Sequence, residues 1–242
     1  MLIMVSIKTE ESIKEFWEAR GDKYNTVPFE SLSNFEENQQ ILTERMTAEK
    51  NLVFSKLSLN KEQAVLDLGA GVGQWAFRFA PLVNRIVAVE FAVSQIEIAK
   101  REQVARNIDN IAFIHASAET FSSDEQFDVI FISGLIVYLN EKQLSKLILN
   151  VQKMLKSEGI LFLREPSSIL EERYEIINRY SEALKTNYSA TYRTSNEINN
   201  LFEKQGFKNL EDGQVFAEGS SLNKFPETRL KYYIFSFANH TS

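Results

Sequence analysis

From Gln63 onward the chain alternates short apolar runs with helix-patterned segments. The runs AVLDL, RIVAVE, IAFIHA, FDVIFIS and GILFLRE are too continuous in their apolarity to have one wet face, as strands buried on both faces of a parallel sheet are. Parallel neighbours need a crossover between them. The spacing predicts these at 73–80, 94–107, 141–155 and 169–184. Asn140 is placed to cap the third of these helices, and Ser157-Glu158-Gly159 to stop the chain after it. Thr194-Ser195-Asn196-Glu197 fits a capping box, opening a helix that ends at Gly206. FKNLEDGQVFAEG and RLKYYIFSFAN then read as a closing antiparallel pair.

The first sixty residues have a different pattern. Ile13, Phe16 and Trp17 share one face of a helix over 10–20 that ends at Gly21, with acidic residues at its start. A turn-rich stretch surrounds Pro28, and a second helix is expected from about Phe35 to Leu57 with Ile41, Leu42, Met46, Val53 and Phe54 inward. The expected organisation is one domain overall: a helical N-terminal lead-in or lid over 1–60, and a main α/β body over 61–242. That body is read as a Rossmann-like, seven-stranded, mostly parallel sheet with helices on both faces and an antiparallel last strand.

The first strand runs into Asp67-Leu68-Gly69-Ala70-Gly71-Val72-Gly73, and a helix begins directly at Gln74. Glycines there permit positive φ and let a ligand rest on the backbone. The dinucleotide fingerprint G-x-G-x-x-G fails, because Gln74 stands at its last position. Asp67 beside the loop would repel a pyrophosphate and attract an ammonium or sulfonium group. Glu90, seventeen residues beyond Gly73 at the end of the second strand, can accept the ribose hydroxyl protons of an adenosine.

With these features the chain resembles the class I S-adenosylmethionine-dependent methyltransferases. VLDLGAGVG looks like their first motif, the acidic end of VAVE their second, FDVIFISGLIVYL their fourth-strand motif and LKSEGILFLRE their strand-five motif, in order across roughly 60–165. The resemblance implies S-adenosyl-L-methionine as cofactor and S-adenosyl-L-homocysteine as product. It places the methionine end on Asp67, Gly69, Ala70, Gly71 and Gly73 with Trp75 nearby, the ribose on Glu90 and the adenine on Phe91. The family usually has an acidic residue where Ser117 stands, so the contact to the adenine amino group is expected to be weakened, with Glu119 or backbone groups near Ala118 as substitutes. Ser133 and Gly134 would lie beside the methionine moiety.

Acceptor groups are expected after strands four and five, at the carboxyl ends of the sheet. Tyr138 follows strand four, and Arg164-Glu165-Pro166 ends strand five. Glu165 and Tyr138 are the catalytic candidates. Arg164 would suit an anion, and Glu165 a base or an ammonium contact, unless the pair forms an internal salt bridge. Tyr188, Tyr192 and Arg193 either reach over the pocket or anchor the surface. From the lead-in, Trp17, Arg20 and Tyr24 are lid candidates, with Trp17 also fitting an apolar helical stripe. His115 is read as structural, and His240 lies in the tail.

Transfer from a sulfonium is an in-line displacement whose leaving group is already activated, so no metal is expected. With no cysteine and two histidines there are no disulfides, no thiolate or multi-histidine metal site, and no cysteine route to carbon 5 of a pyrimidine. No N-P-P-[YF] follows strand four, which disfavours amino-methylation of adenine. The formal charge of −6 disfavours nucleic-acid phosphates and anionic membranes. No stretch approaches the ~20 apolar residues of a membrane helix, and the protein is expected to be cytoplasmic, as monomer or homodimer. The leading reading is methyl transfer to oxygen or nitrogen of a small molecule such as a sugar, a phospho-headgroup or a similar metabolite. The alternatives are a non-catalytic cofactor-binding or partner protein, a methyltransferase for RNA or protein, an aminopropyl transferase and a nicotinamide oxidoreductase.

Overall fold

The computed structural model describes residues 10–237 except 22, 23, 25, 35, 37 and 182–185. Before the first strand the described elements are helical: α1 (Glu10–Gly21), α2 (Ser31–Asn34) and α3 (Gln39–Lys56). The second predicted helix thus starts later than expected, at a cap formed by Asn38, whose side chain accepts from the Gln40 and Ile41 amides. Phe35, its expected start, lies outside the described residues. The elements β1 (Ala64–Leu68), α4 (Gln74–Phe79), β2 (Arg85–Glu90), α5 (Val93–Ala105), β3 (Ile111–His115) and β4 (Phe127–Ser133) follow. After them come a 3-10 turn (Ile136–Tyr138), α6 (Glu141–Met154), β5 (Leu155–Ser168), β6 (Tyr174–Ser181), β7 (Thr186–Tyr192), α7 (Ser195–Glu203), β8 (Phe207–Gln214) and β9 (Thr228–Phe237).

Seven strands form one sheet in the order β3-β2-β1-β4-β5-β9-β8, with β9 antiparallel to both neighbours. Side chains alternate across it. Leu66, Leu68, Ile130, Ile132, Leu161 and Leu163 pack with Leu144, Leu147, Val151 and Phe202 of α6 and α7. Val65, Ile86, Val129, Phe131 and Phe162 pack with Val53, Trp75 and Phe79 of α3 and α4 on the other face. The expected capping box forms at Thr194 on α7, and the expected cap Asn140 on α6 proves to be a capping box as well, closed by Gln143.

One predicted element is corrected. In the segment expected as a helix over 169–184, Tyr174–Ser181 is instead the first arm of the hairpin β6–β7, in register Tyr174↔Tyr192 and Ile176↔Ala190, while 182–184 lie outside the described residues. Its described apolar residues offer no buried helical stripe, since Ile177 and Tyr180 stay exposed. Cross-strand partners decide its conformation instead, with Tyr174 stacked on Tyr192 at 5.9 Å. A bulge between Ile176 and Arg179 places Asn178 at φ 46.

Strand order reverses between β1 and β4, the switch point where open α/β sheets leave a crevice above their carboxyl ends. A cavity of about 360 Å³ opens there. Among the described residues no helix is long and apolar enough to cross a membrane.

Candidate active site

The floor of the cavity is the turn between β1 and α4. Gly69, Gly71 and Gly73 have φ of +77, +56 and +81, a region that side chains with a Cβ rarely enter. The Gly69 and Ala70 amides donate to the Val89 carbonyl at 2.9 and 3.0 Å, pinning the loop to the end of β2. Gly73 does not line the cavity; its role is packing, because a Cβ there would lie 2.8 Å from the Phe113 ring. Gln74, where the dinucleotide fingerprint would have glycine, donates to the Phe29 and Glu30 carbonyls and so ties the loop to the lead-in.

Two buried carboxyls face this loop. Asp67 lines the cavity and its Oδ2 has no hydrogen-bond partner. Burial, then the nearby Glu90 charge, pushes its pKa up to about 7, against the Ala76 amide. Glu90 Oε2 accepts from the Gly71 amide, and Oε1 accepts from the Phe91 and Ala92 amides. Burial still holds its pKa above the usual carboxylate range. A carboxylate offers about four acceptor positions. Three are taken, which leaves Glu90 room for one hydroxyl rather than the two expected.

Ala70, Trp75, Phe91, Ser133 and Gly134 also line the cavity. Ser117, Ala118 and Glu119, expected near the adenine, do not. Ser117 is bonded to Glu119, Ala118 is buried in the core, and the Glu119 carbonyl accepts from Asn150. His115 bonds the Phe91 carbonyl and so fixes the end of β2.

The roof is aromatic. Ile13 and Trp17 of α1 reach the cavity together with Tyr138, Tyr188 and Tyr192. Trp17 meets Tyr138 edge-on at 5.6 Å, Tyr138 meets Tyr188 at 6.2 Å, and the Tyr188 and Tyr192 hydroxyls are 2.8 Å apart. Burial raises the pKa of all three tyrosines, so they are neutral hydrogen-bonding groups at neutral pH. The helix carrying Trp17 is fastened to α5. The N-cap of α5 is Ala92, which has no capping side chain, and Glu18 supplies the cap from α1 by accepting from the Val93 and Ser94 amides at 2.8 and 2.9 Å.

Four expected acceptor or lid residues lie outside the cavity. Glu165 is fully buried, and its Oε1 accepts from the Leu135 and Ile136 amides at 2.7 and 3.1 Å. Strand alternation explains this, since neighbours Arg164 and Glu165 must leave β5 on opposite faces. Burial pushes Glu165 up to about 7. Arg193, also buried, donates to the Ile136 and Leu139 carbonyls and pairs with Glu141. Arg20 donates to the Leu32 carbonyl, and Tyr24 donates to Glu102 under the Arg101 guanidinium. All four brace the walls.

The sequence reading missed Arg45, Glu49, Arg78 and Lys224, all of which line the cavity. Glu49 is buried between Arg45 and Arg164, at 2.9 and 2.5 Å. Burial works to raise its pKa, and the two guanidiniums overcome this and hold it low. The signal was present in the sequence, for Leu42, Glu49 and Val53 fall on one buried helical stripe.

A reversed parallel sheet, a positive-φ glycine loop and two buried carboxyls at the switch point define the class I fold of the S-adenosylmethionine-dependent methyltransferases. The chain belongs to the methyltransferase-domain family, whose model matches residues 59–210. Phosphoethanolamine N-methyltransferase 1 of Triticum aestivum is 36% identical over 107 residues, 43% of this chain and 21% of that protein. The malonyl-[acyl-carrier protein] O-methyltransferase of Bacillus anthracis is 26% identical over 182 residues, 72% of this chain and 64% of that one. The chain therefore spans less than two thirds of either relative. In fold it is similar to the Haemonchus contortus phosphoethanolamine N-methyltransferase 1 solved with phosphoethanolamine and S-adenosylhomocysteine. The TM-score is 0.72 at 19% identity, covering 97% of this chain and 51% of that one.

Proposed function

We propose that the chain transfers the methyl group of S-adenosylmethionine to an oxygen or nitrogen of a small molecule. The observation that carries this is the unpartnered Asp67 Oδ2, a buried acceptor on a cavity whose floor is the glycine loop. A cationic ammonium beside it would lower its pKa and satisfy its orphan oxygen. When bound, the cofactor supplies an activated methyl group on sulfur. In this reading Asp67 and the backbone from Gly69 to Gly71 hold its methionine end, Glu90 accepts one ribose hydroxyl, and Phe91 packs on the adenine.

The acceptor would sit between Ser133–Gly134 and the aromatic roof, where Trp17, Tyr138, Tyr188 and Tyr192 exclude water and orient it. Glu165 acts as a positioning residue that fixes the Leu135 and Ile136 amides. The carboxyls on the cavity are engaged elsewhere, so the favoured acceptor atom is one that needs little general-base help, such as an amine or an already ionised oxygen. The names of the two curated relatives cover both nitrogen and oxygen acceptors.

The test is methyl transfer from isotope-labelled S-adenosylmethionine to a panel of sugars, phospho-headgroups and related metabolites, with calorimetry of S-adenosylhomocysteine alongside. The reading expects product binding, turnover on a panel member, and loss of at least ~1 kcal/mol of binding in both Asp67→Ala and Glu90→Ala. Binding without turnover on any acceptor would point to the non-catalytic alternative.

A further inference from the structure

The cavity has a cationic wall that the cofactor reading does not use. Arg45 from α3, Arg78 from α4, Arg164 from β5 and Lys224 from the β8–β9 loop all reach it. Arg164 is 8% exposed, so its surroundings are fixed. Its Nη2 pairs with Glu49, its Nη1 donates to Ser133 Oγ at 2.8 Å, and its Nε has no partner. Arg45 spends its Nε on the same Glu49 oxygen. Arg78 lies over the Trp75 ring at 4.6 Å and makes no hydrogen bond or ion pair among the described residues. Lys224 pairs with Glu36 behind the wall.

Set against these four cations among the described residues are Glu49 and Glu36, with the Glu30 charge also acting on Arg78, which leaves the wall net positive beside the apolar surfaces of Trp75, Phe216 and Leu222. Guanidinium groups gathered in a desolvated pocket with unmet N–H donors are costly unless an anion completes them. Burial indeed depresses Arg78. Asp67 does not serve as that anion, because the charge acting on it is Glu90 and no arginine. Glu49 is therefore an internal counter-ion that aligns Arg45 and Arg164 and satisfies them in part.

We propose that the methyl acceptor carries a compact dianionic oxyanion, a phosphate monoester or a phosphonate, seated among Arg45, Arg78 and Arg164 with Lys224 at the rim. The proposal rests on the methyl-transfer reading above and gives that site its substrate class. The free Arg164 Nε and the Arg78 guanidinium on a net positive wall call for oxyanion acceptors, and planar guanidinium forks match tetrahedral oxygens in pairs. The Ser133–Arg164 hydrogen bond joins this seat to the end of β4. The uncharged end of the acceptor would then lie against Gly134, where an added Cβ would meet nothing within 4 Å.

The test titrates methyl phosphate, methylphosphonate and acetate into protein loaded with S-adenosylhomocysteine, by calorimetry at low salt. Wild type is compared with Arg78→Gln, Arg45→Gln and Lys224→Gln. The expected result is binding of at least one phosphorus dianion, weakened at least tenfold by Arg78→Gln and by Arg45→Gln, with S-adenosylhomocysteine affinity unchanged. Lys224→Gln, at the rim, should weaken it less. The tighter of the two dianions tells an ester from a phosphonate, and acetate should bind at least tenfold more weakly than either. Dianion affinity untouched by both arginine substitutions, no dianion binding, or acetate binding as tightly would overturn the proposal. If S-adenosylhomocysteine itself fails to bind, the methyl-transfer reading falls, and the same titrations on the ligand-free protein still decide the anion site.

Discussion

Asp67→Asn should make the ligand-free protein more stable at alkaline pH while weakening its hold on the cofactor. The carboxyl is buried with one oxygen unpartnered, and its pKa rises from 3.8 to about 7. A folded-state pKa raised above the unfolded one means that the native state binds the proton more tightly. Stability is then full below the unfolded pKa and falls as pH rises toward 7, levelling off above it. At about 1.36 kcal/mol per pKa unit the penalty is roughly 1.6 kcal/mol at pH 5 and roughly 4 kcal/mol at pH 8. The asparagine carries no such penalty. Its amide adds an unsatisfied donor that costs ~1–3 kcal/mol, but that cost does not depend on pH. The slope is thus the clean readout. Urea unfolding of wild type and variant across pH 5 to 8 should show the variant gaining about 2 kcal/mol on wild type, and at 25 °C in excess S-adenosylhomocysteine the gain should shrink or reverse. A stability difference that stays constant over that range would refute the account of Asp67.

Glu165→Ala should cost ~2–4 kcal/mol by leaving the Leu135 and Ile136 amides bare, read by thermal unfolding, whereas Glu165→Gln should keep most of the stability because an amide oxygen can still accept them. Gly73→Ala should destabilise by at least ~1–2 kcal/mol, since the new Cβ would lie 2.8 Å from Phe113 at φ +81, and a melting temperature within a degree of wild type would contradict the packing role. Glu18→Ala should loosen α1 on α5 at a cost of ~0.5–2 kcal/mol, with the Ser94 and Gln95 side chains still bonded to the Glu18 and Trp17 carbonyls. Burial works to raise the Glu18 pKa, but the Ser94 and Val93 amides outweigh it and hold it low. The contribution of Glu18 is therefore present above its unfolded pKa near 4.5 and lost as pH falls below that, which hydrogen exchange at the Val93 and Ser94 amides would follow.

What the sequence carried was set by local chemistry and strand period. The five parallel strands are apolar runs, Asn140 announces its helix as an N-cap, and Thr194 announces its own through a reciprocal cap that needs only four consecutive residues. Asp67 and Glu90 were legible because both lie at strand ends flanking a glycine turn. The hairpin at 174–192 was not, because its apolar residues fit a helical spacing and only pairing with Ala190 and Tyr192 decides the matter. Glu165 was misplaced for want of strand phase: one residue along β5 exchanges the cavity for the wall behind it. The stripe of Leu42, Glu49 and Val53 marks Glu49 as inward-facing, but Arg45 and Glu49 also resemble an ordinary surface pair four residues apart, and their partner Arg164 is more than a hundred residues away.

The most direct test of the site is the structure of the protein with S-adenosylhomocysteine bound. The account predicts the ligand's ammonium within hydrogen-bonding distance of Asp67 Oδ2, one ribose hydroxyl on Glu90, and the sulfur facing Gly134 and the tyrosine roof. A ligand seated elsewhere, or one that leaves Asp67 Oδ2 unpartnered, would contradict it.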